Sequence, residues 1–325
     1  MIYLLIIKIG RFIYRIFGIS SNQRRFKKFD WKILTSQESN NLLHELILDA
    51  KPTMISRFGS VETNAVLNFL EIKDWDSQSK INSFHNNLLG SSRHWNYSVM
   101  YDLSNNAGFF PAQEDYVSQF SQFYLEKTKS IDAIGIWRFV PGETYLISKY
   151  CNSAIPFDPI AFEPYFFNNP WSKALEGKKV LVIHPFSNSI QKQYLKREKL
   201  FRDGSVLPKF ELKTIKAVQS IAGNKTQYSN WFEALASMQM QIDTTEFDVA
   251  IIGAGSYGLP LSAYVKKKGK VAIHIGGATQ ILFGIKGKRW DKHPIISRLY
   301  NEYWIRPDEN ELVLGSENVE DSCYW

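Results

Sequence analysis

Cysteine is scarce in this chain of 325 residues: Cys151 and Cys323 are the only two, they lie far apart, and neither belongs to a metal-ligand spacing. A disulfide-stapled scaffold is thereby excluded, and two free thiols in a reducing compartment are expected. The sequence holds no H-E-x-x-H, no P-loop and no G-x-S-x-G, which removes zinc peptidases, Walker-type ATPases and typical α/β-hydrolases. Uncharged apolar runs of membrane-spanning length are missing, as are internal repeats, low-complexity tracts and any Pro/Gly/Ser-rich linker. One compact unit, long enough to bury a full core, follows.

Aromatic residues, by contrast, are plentiful, with 22 Phe, 16 Tyr and 9 Trp. Many belong in a core, and the rest can stack on the flat faces of a sugar or a base. The formal net charge of +7 favours anionic partners, a nucleotide diphosphate or an acidic lipid surface among them. The basic residues form no long stripe interleaved with aromatics, so nucleic acid is not an expected partner. Residues 1–19 are apolar with Lys8, Arg11 and Arg15 set into them, and Arg24, Arg25, Lys27 and Lys28 follow. On a helix the first three charges share a face. A cleavable leader carries its charge ahead of the apolar stretch, so cleavage is not expected. Residues 1–30 thus read as an amphipathic basic helix that either docks on an anionic membrane surface through residues 1–28 or packs on its own domain. The expected location is cytoplasmic, and peripheral on the inner face of the membrane in the first case.

Residues 31–300 are expected to form an α/β catalytic domain, with 301–325 as a tail packed on it. Apolar β-branched runs alternate with helix-length amphipathic segments, the pattern of a doubly wound, mostly parallel, Rossmann-like sheet with helices on both faces. The first half predicts helices over 36–50 and 60–70, mainly helical structure over 82–122, and strands over 53–57 and 131–138. The second half predicts strands over 178–184, 210–215, 247–253 and 270–275, with helices over 189–201, 229–242 and 257–268. Folds of this type bind ligands beyond the carboxyl ends of their strands, and the candidate residues fall there.

Gly253-Ala254-Gly255-Ser256-Tyr257-Gly258 is a G-x-G-x-x-G that directly follows a strand and opens a helix, where backbone N–H groups can approach a phosphate. A dinucleotide site also wants an acidic residue about 20 positions on, to hold the ribose. The next strand instead ends in His274-Ile275-Gly276-Gly277. The motif therefore reads as a phosphate or nucleotide loop, or as a plain tight turn. Gly276-Gly277-Ala278-Thr279-Gln280 repeats the device, and Lys286, Lys288 and Arg289 ahead of Trp290 either neutralise a diphosphate or form a solvated loop. Arg57-Phe58-Gly59-Ser60-Val61-Glu62 marks another strand-to-helix turn. There Ser60 and Glu62 are an N-cap and a first-turn acid, or Arg57 holds a phosphate and Glu62 meets a metal or an acceptor hydroxyl. His184 closes a further strand, as a donor to phosphate or as a structural histidine. A base for an acceptor hydroxyl would come from Glu62 or from the loop carboxylates Glu143, Asp158 and Glu163.

Taken in order, Ile55-Ser56-Arg57-Phe58-Gly59-Ser60-Val61-Glu62, the late Asp248-Val249-Ala250-Ile251-Ile252-Gly253-Ala254-Gly255 with Gly258-Leu259-Pro260-Leu261, and the His274-Ile275-Gly276-Gly277 turn resemble a bacterial glycosyltransferase group with the GT-D fold. Its members belong to surface-polysaccharide and glycoprotein-glycan assembly, and the resemblance covers about half the chain. It implies transfer of a sugar from a nucleotide-sugar donor, such as a UDP-sugar, to a glycan or lipid-linked glycan acceptor in capsule or O-antigen biosynthesis. Arg57 and Glu62 would then serve the chemistry. Gly59, Ser60, His184, Gly253, Gly255, Ser256, Gly258, His274, Gly276, Gly277, Gln280, Lys288 and Arg289 would surround the donor. The family pattern after Arg-Phe-Gly is Asp-x-Glu, associated with metal and nucleotide-sugar binding. Here Ser60-Val61-Glu62 keeps only the second carboxylate, which leaves dependence on manganese or magnesium open. Two other readings stay open: an NAD(P)-dependent oxidoreductase, from the G-x-G-x-x-G, and a non-catalytic membrane-associated scaffold of a glycan-assembly complex, from the basic N-terminus and the missing Asp.

Overall fold

The computed structural model describes residues 31–76, 94–137, 140, 142–319 and 324–325. The amphipathic segment with Lys8, Arg11 and Arg15, the part of the helical expectation over 82–93, Arg138 and Cys323 lie outside the described residues. Seven strands are described: β1 (Thr53–Arg57), β2 (Ala133–Gly135), β3 (Ile155–Phe157), β4 (Lys179–His184), β5 (Glu211–Lys216), β6 (Val249–Ile252) and β7 (Val271–His274). They form one sheet in the order β3-β2-β1-β7-β6-β4-β5, with every neighbouring pair parallel. The helices are α1 (Ser36–Asp49), α2 (Ser60–Asp76), α3 (Tyr97–Asn105), α4 (Glu114–Thr128), α5 (Glu143–Tyr150), α6 (Ser187–Tyr194), α7 (Arg197–Leu200), α8 (Trp231–Asp243), α9 (Gly258–Lys267) and α10 (Ala278–Leu282).

Strand residues alternate between two cores, as a sheet covered on both sides requires. Met54, Ile134, Leu181, Ile183, Ala250 and Ile252 meet one apolar layer, built with α2, α4, α8 and α9. Ile55, Val180, Val182, Ile251, Val271 and Ile273 meet the other, built with α1, α6 and α10. Each buried Val, Leu, Ile or Met among them contributes about 1.5–3 kcal/mol. Local signals agree with this packing. Thr35 and Glu38 form a reciprocal capping box at the start of α1. Asn230 caps α8 by accepting the Glu233 N–H at 3.0 Å. Cys151 is a free, buried thiol, pushed up to about 12 by burial.

Three local expectations need correction. The segment 155–157 is a strand although it contains Pro156; it pairs only with β2, at the sheet edge, where a missing N–H is tolerated. Glu143, expected in a loop, instead opens α5 behind Gly142 with φ 82; a Cβ on Gly142 would overlap Leu67 of α2. Finally, the helix expected over 189–201 begins earlier and breaks into α6 and α7.

The topology also places the site. From β4 the chain runs outward to β5, whereas from β6 it runs inward to β7. These departures diverge, so the crevice beyond the carboxyl ends of β4 and β6 is left uncovered, as at other topological switch points. No helix among the described residues is long and apolar enough to cross a membrane.

Candidate functional site

A cleft of about 480 Å³ opens at that edge, lined by the ends of β1, β4, β6 and β7 together with loops from both halves of the chain. Its size suits a small-molecule ligand, for which ~300–1,000 Å³ is usual. Arg57, Gly59, Ser60, Glu62, His184, Gly253, Gly255, His274, Gly276, Gly277 and Arg289 all line it. Ser256, Gly258, Gln280 and Lys288 do not.

Arg57 ends β1, half-buried, and its guanidinium lies 5.9 Å from the centre of the Trp137 ring. It donates from Nη1 to the Phe58 carbonyl at 3.3 Å, while its buried Nε has no hydrogen-bond partner. The guanidinium fills the space that a Cβ on Gly276 would need, and Gly276 itself sits at φ 62. In the next turn of chain, the Thr63 N–H bonds to the Gly59 carbonyl at 2.9 Å. Gly59 is therefore the capping position, and Ser60 is the first helical residue rather than the cap. The buried Glu62 carboxylate folds back over Gly59, which has no side chain to obstruct it.

Two histidines close β4 and β7, the strands on either side of β6. His184 Nδ1 accepts the Phe186 N–H at 3.0 Å, which assigns the ring proton to Nε2. Burial lowers its pKa to about 3, so it stays neutral. His274 Nδ1 lies 3.0 Å from Ser56 Oγ, and burial, reinforced by Arg57, lowers it to about 3 as well. Both rings are thus uncharged polar groups of the cleft wall, not cations.

The glycines that stand out in the sequence have their missing side chains used internally. A Cβ on Gly253 would lie 2.5 Å from the Gly276 carbonyl and 2.8 Å from His184 Cδ2. On Gly258 it would overlap the His274 ring, and on Gly277 it would lie 2.8 Å from the Tyr324 ring. Gly255 has φ 51 and faces the Ala107 carbonyl at 3.0 Å. Their first effect is to let the strand-end turns and the polar side chains of the cleft come together. Ser256 donates from Oγ to the Ala107 carbonyl at 2.7 Å and accepts the Trp231 indole N–H at 2.9 Å, so it binds the wall together behind the cleft.

Arg289 stacks on two rings, 4.7 Å from Tyr324 and 5.4 Å from Trp290. Gln280 Nε2 donates to the Tyr324 carbonyl at 3.1 Å, and the Lys288 N–H donates to the Trp325 carbonyl at 3.0 Å. These two residues hold the wall in place, while Lys286 is drawn off to the Tyr300 ring at 5.4 Å. Lining residues that the sequence did not announce include Trp137, Gln219, Ser220 and Tyr324. Trp137 follows the short strand β2, and Gln219 and Ser220 follow β5, so strand ends were a usable signal for these three. Nothing in the sequence marks Tyr324.

Of the three carboxylates expected in loops, only Glu163 reaches the cleft, and Glu143 is the first residue of α5. Burial raises Glu163 to about 7. Glu143 is buried and accepts the Trp137 N–H at 3.2 Å. Asp158 accepts from Ser36 Oγ at 2.7 Å and caps the turn Pro159–Phe162. Among the described residues no three His, Cys, Asp or Glu side chains are grouped to hold a metal ion. Glu62 alone is a poor donor set for a hard divalent cation, and no chemical step below is routed through one. Comparison with protein-family models, with curated proteins and with solved structures gave no match.

Proposed function

We propose that the protein is a glycosyltransferase that moves a sugar from a nucleotide-sugar donor, such as a UDP-sugar, to a hydroxyl of a glycan acceptor in bacterial surface-polysaccharide assembly. The observation that carries this reading is the convergence of two guanidiniums on one glycine turn. Arg57 lies against Gly276, and Arg289 stacks on the Tyr324 and Trp290 rings that cover Gly277. Fixed cations at the carboxyl edge of a parallel sheet suit a diphosphate, whose negative charge grows as the bond to the sugar breaks. The neutral His184, with its proton on Nε2, adds an uncharged donor to the same cleft. Trp137, Trp290 and Tyr324 offer flat apolar faces for a sugar or a base. The ordered resemblance to GT-D glycosyltransferases supports the same reading, and the basic residues of 1–28 suit an acceptor carried on an anionic membrane.

The oxidoreductase reading is weaker, because β7, the strand that follows the Gly253 to Gly258 loop, ends in His274 and brings no carboxylate for a ribose. A thermal-shift panel separates the readings. UDP, GDP and their sugars, with and without manganese or magnesium, are expected to raise Tm, with NAD and NADP inert. Stabilisation by NAD or NADP alone would transfer the protein to the dehydrogenase class, and a flat response to every nucleotide would leave the scaffold.

A further inference from the structure

We infer that Glu163 is the residue that takes the proton from the attacking hydroxyl, a role that rests on the glycosyl-transfer reading above. Its position is held on both sides: the Glu163 N–H bonds to the Ile160 carbonyl at 3.0 Å, and the Glu163 carbonyl accepts the Phe166 N–H at 3.2 Å. Prolines open the flanking turns Pro159–Phe162 and Pro164–Phe166, so the carboxylate is presented by a stiff corner rather than a loose loop. It shares the cleft with the two arginines assigned to the diphosphate. Elimination points the same way, because Glu143 and Asp158 are committed elsewhere and Glu62 is folded over its own helix start.

The step is a single displacement. The hydroxyl oxygen of the acceptor, or of water in donor hydrolysis, forms a bond to the anomeric carbon. The bond from that carbon to the β-phosphate oxygen breaks, and its electron pair leaves with the nucleoside diphosphate beside Arg57 and Arg289. The hydroxyl proton passes to a Glu163 carboxylate oxygen. A carboxyl group that ionises at about 7 is well matched to this task near neutrality. The charged and titratable groups that share the cleft with Glu163 are Arg57, Glu62, His184, Tyr257, His274, Arg289 and Tyr324. Both histidines remain neutral down to about pH 3, and the Tyr165 phenol beside Glu163 is raised well above its ordinary value. A limb near pH 7 that is lost on replacing Glu163 and kept on replacing Glu62 is therefore the signature of Glu163.

The test uses the full chain with UDP-glucose, UDP-galactose and UDP-N-acetylglucosamine, measuring UDP binding by calorimetry and UDP release with time. Glu163→Gln is expected to keep the wild-type UDP affinity, lose turnover by about 10²–10⁴-fold and lose the acid limb of kcat near pH 7. Glu163→Asp should restore part of the rate together with a shifted limb. A Glu163→Gln variant that binds UDP and turns over within about threefold of wild type, or that keeps the limb, overturns the assignment. Wild-type protein that neither binds nor releases a nucleoside diphosphate, whether UDP or GDP from the corresponding sugars, overturns the glycosyl-transfer reading itself, and the assignment with it.

Discussion

The guanidinium of Arg57 occupies the space that a side chain on Gly276 would fill. Sequence separates the two by most of the chain; the pairing of β1 with β7 brings them together. The glycine and the cation are therefore one device, and neither can change alone.

Gly276→Ala should show this. At φ 62 the added methyl costs about 1 kcal/mol in backbone strain, and it also pushes Arg57 out of its seat. Affinity for UDP is expected to fall by about tenfold or more, which corresponds to ~1.4 kcal/mol. Gly269→Ala is the control. Its φ is 80 but no atom lies near the added carbon, so it should lower stability similarly and leave affinity untouched. Calorimetric titration of both variants checks the contrast.

Gly258→Ala tests the other close approach. The new methyl would overlap the His274 ring within a packed wall, a form of overpacking that typically costs about 1–3 kcal/mol. Combining it with His274→Ala should recover part of the loss, giving clear non-additivity in denaturant unfolding. Simple addition of the two effects would mean that the ring and the glycine do not share that space.

Glu311→Gln probes the clamp on the far segment. The buried Glu311 carboxylate accepts the Asn188 N–H at 2.8 Å and also bonds Ser189 through its N–H and its hydroxyl, at the start of α6. The amide would bring a donor to a site built of donors, so stability is expected to fall by about 1–3 kcal/mol. Urea unfolding, read as a shift in midpoint at constant slope, measures it.

Stability should also fall in acid with a definite shape. His184 and His274 have folded values of about 3 against 6.5 in an unfolded chain. The unfolded state therefore binds more protons in that window, and the stability they contribute is complete above 6.5 and drains away as pH falls toward 3. Glu163 acts in the opposite sense: raised to about 7 from 4.5, it contributes stability below 4.5 that is lost as pH rises through 7. Together these three groups contribute a slope of about 1.4 kcal/mol per pH unit between roughly 6.5 and 4.5, and about 2.7 from there toward 3. The lowered carboxyls of Glu38, Glu211, Glu233 and Asp243 add in the same sense at the acid end. Unfolding free energies across this range in wild type and in His274→Gln, which should flatten the slope by about one proton, decide the point.

The central strands were legible because burial on both faces leaves an unbroken apolar run, as in Val249–Ile252 and Val271–His274. β3 was not, because a three-residue edge strand with a proline has no run to display. Arg57, His184, Gly253 and Gly276 could be found because each sits where a strand ends, the one place on a doubly wound sheet that is open to ligands. The glycine motif marks a strand-end turn of the cleft wall, but several of the spaces its missing side chains create are filled from within: the His274 ring takes the one at Gly258, and the Gly276 carbonyl takes the one at Gly253. Which loop carboxylate enters the cleft depended on capping and tertiary contacts that hold Asp158 and Glu143 elsewhere, and no local pattern encodes those.

The strand order has a consequence for how the chain is made. β7, the last strand synthesised, is inserted between β1 and β6. Until residues 271–274 leave the ribosome, the sets β3-β2-β1 and β6-β4-β5 lack the strand that joins them, and the edges of β1 and β6 that face it in the finished sheet have no partner. Shortened chains lacking that strand should aggregate or occupy chaperones rather than persist as half-active fragments.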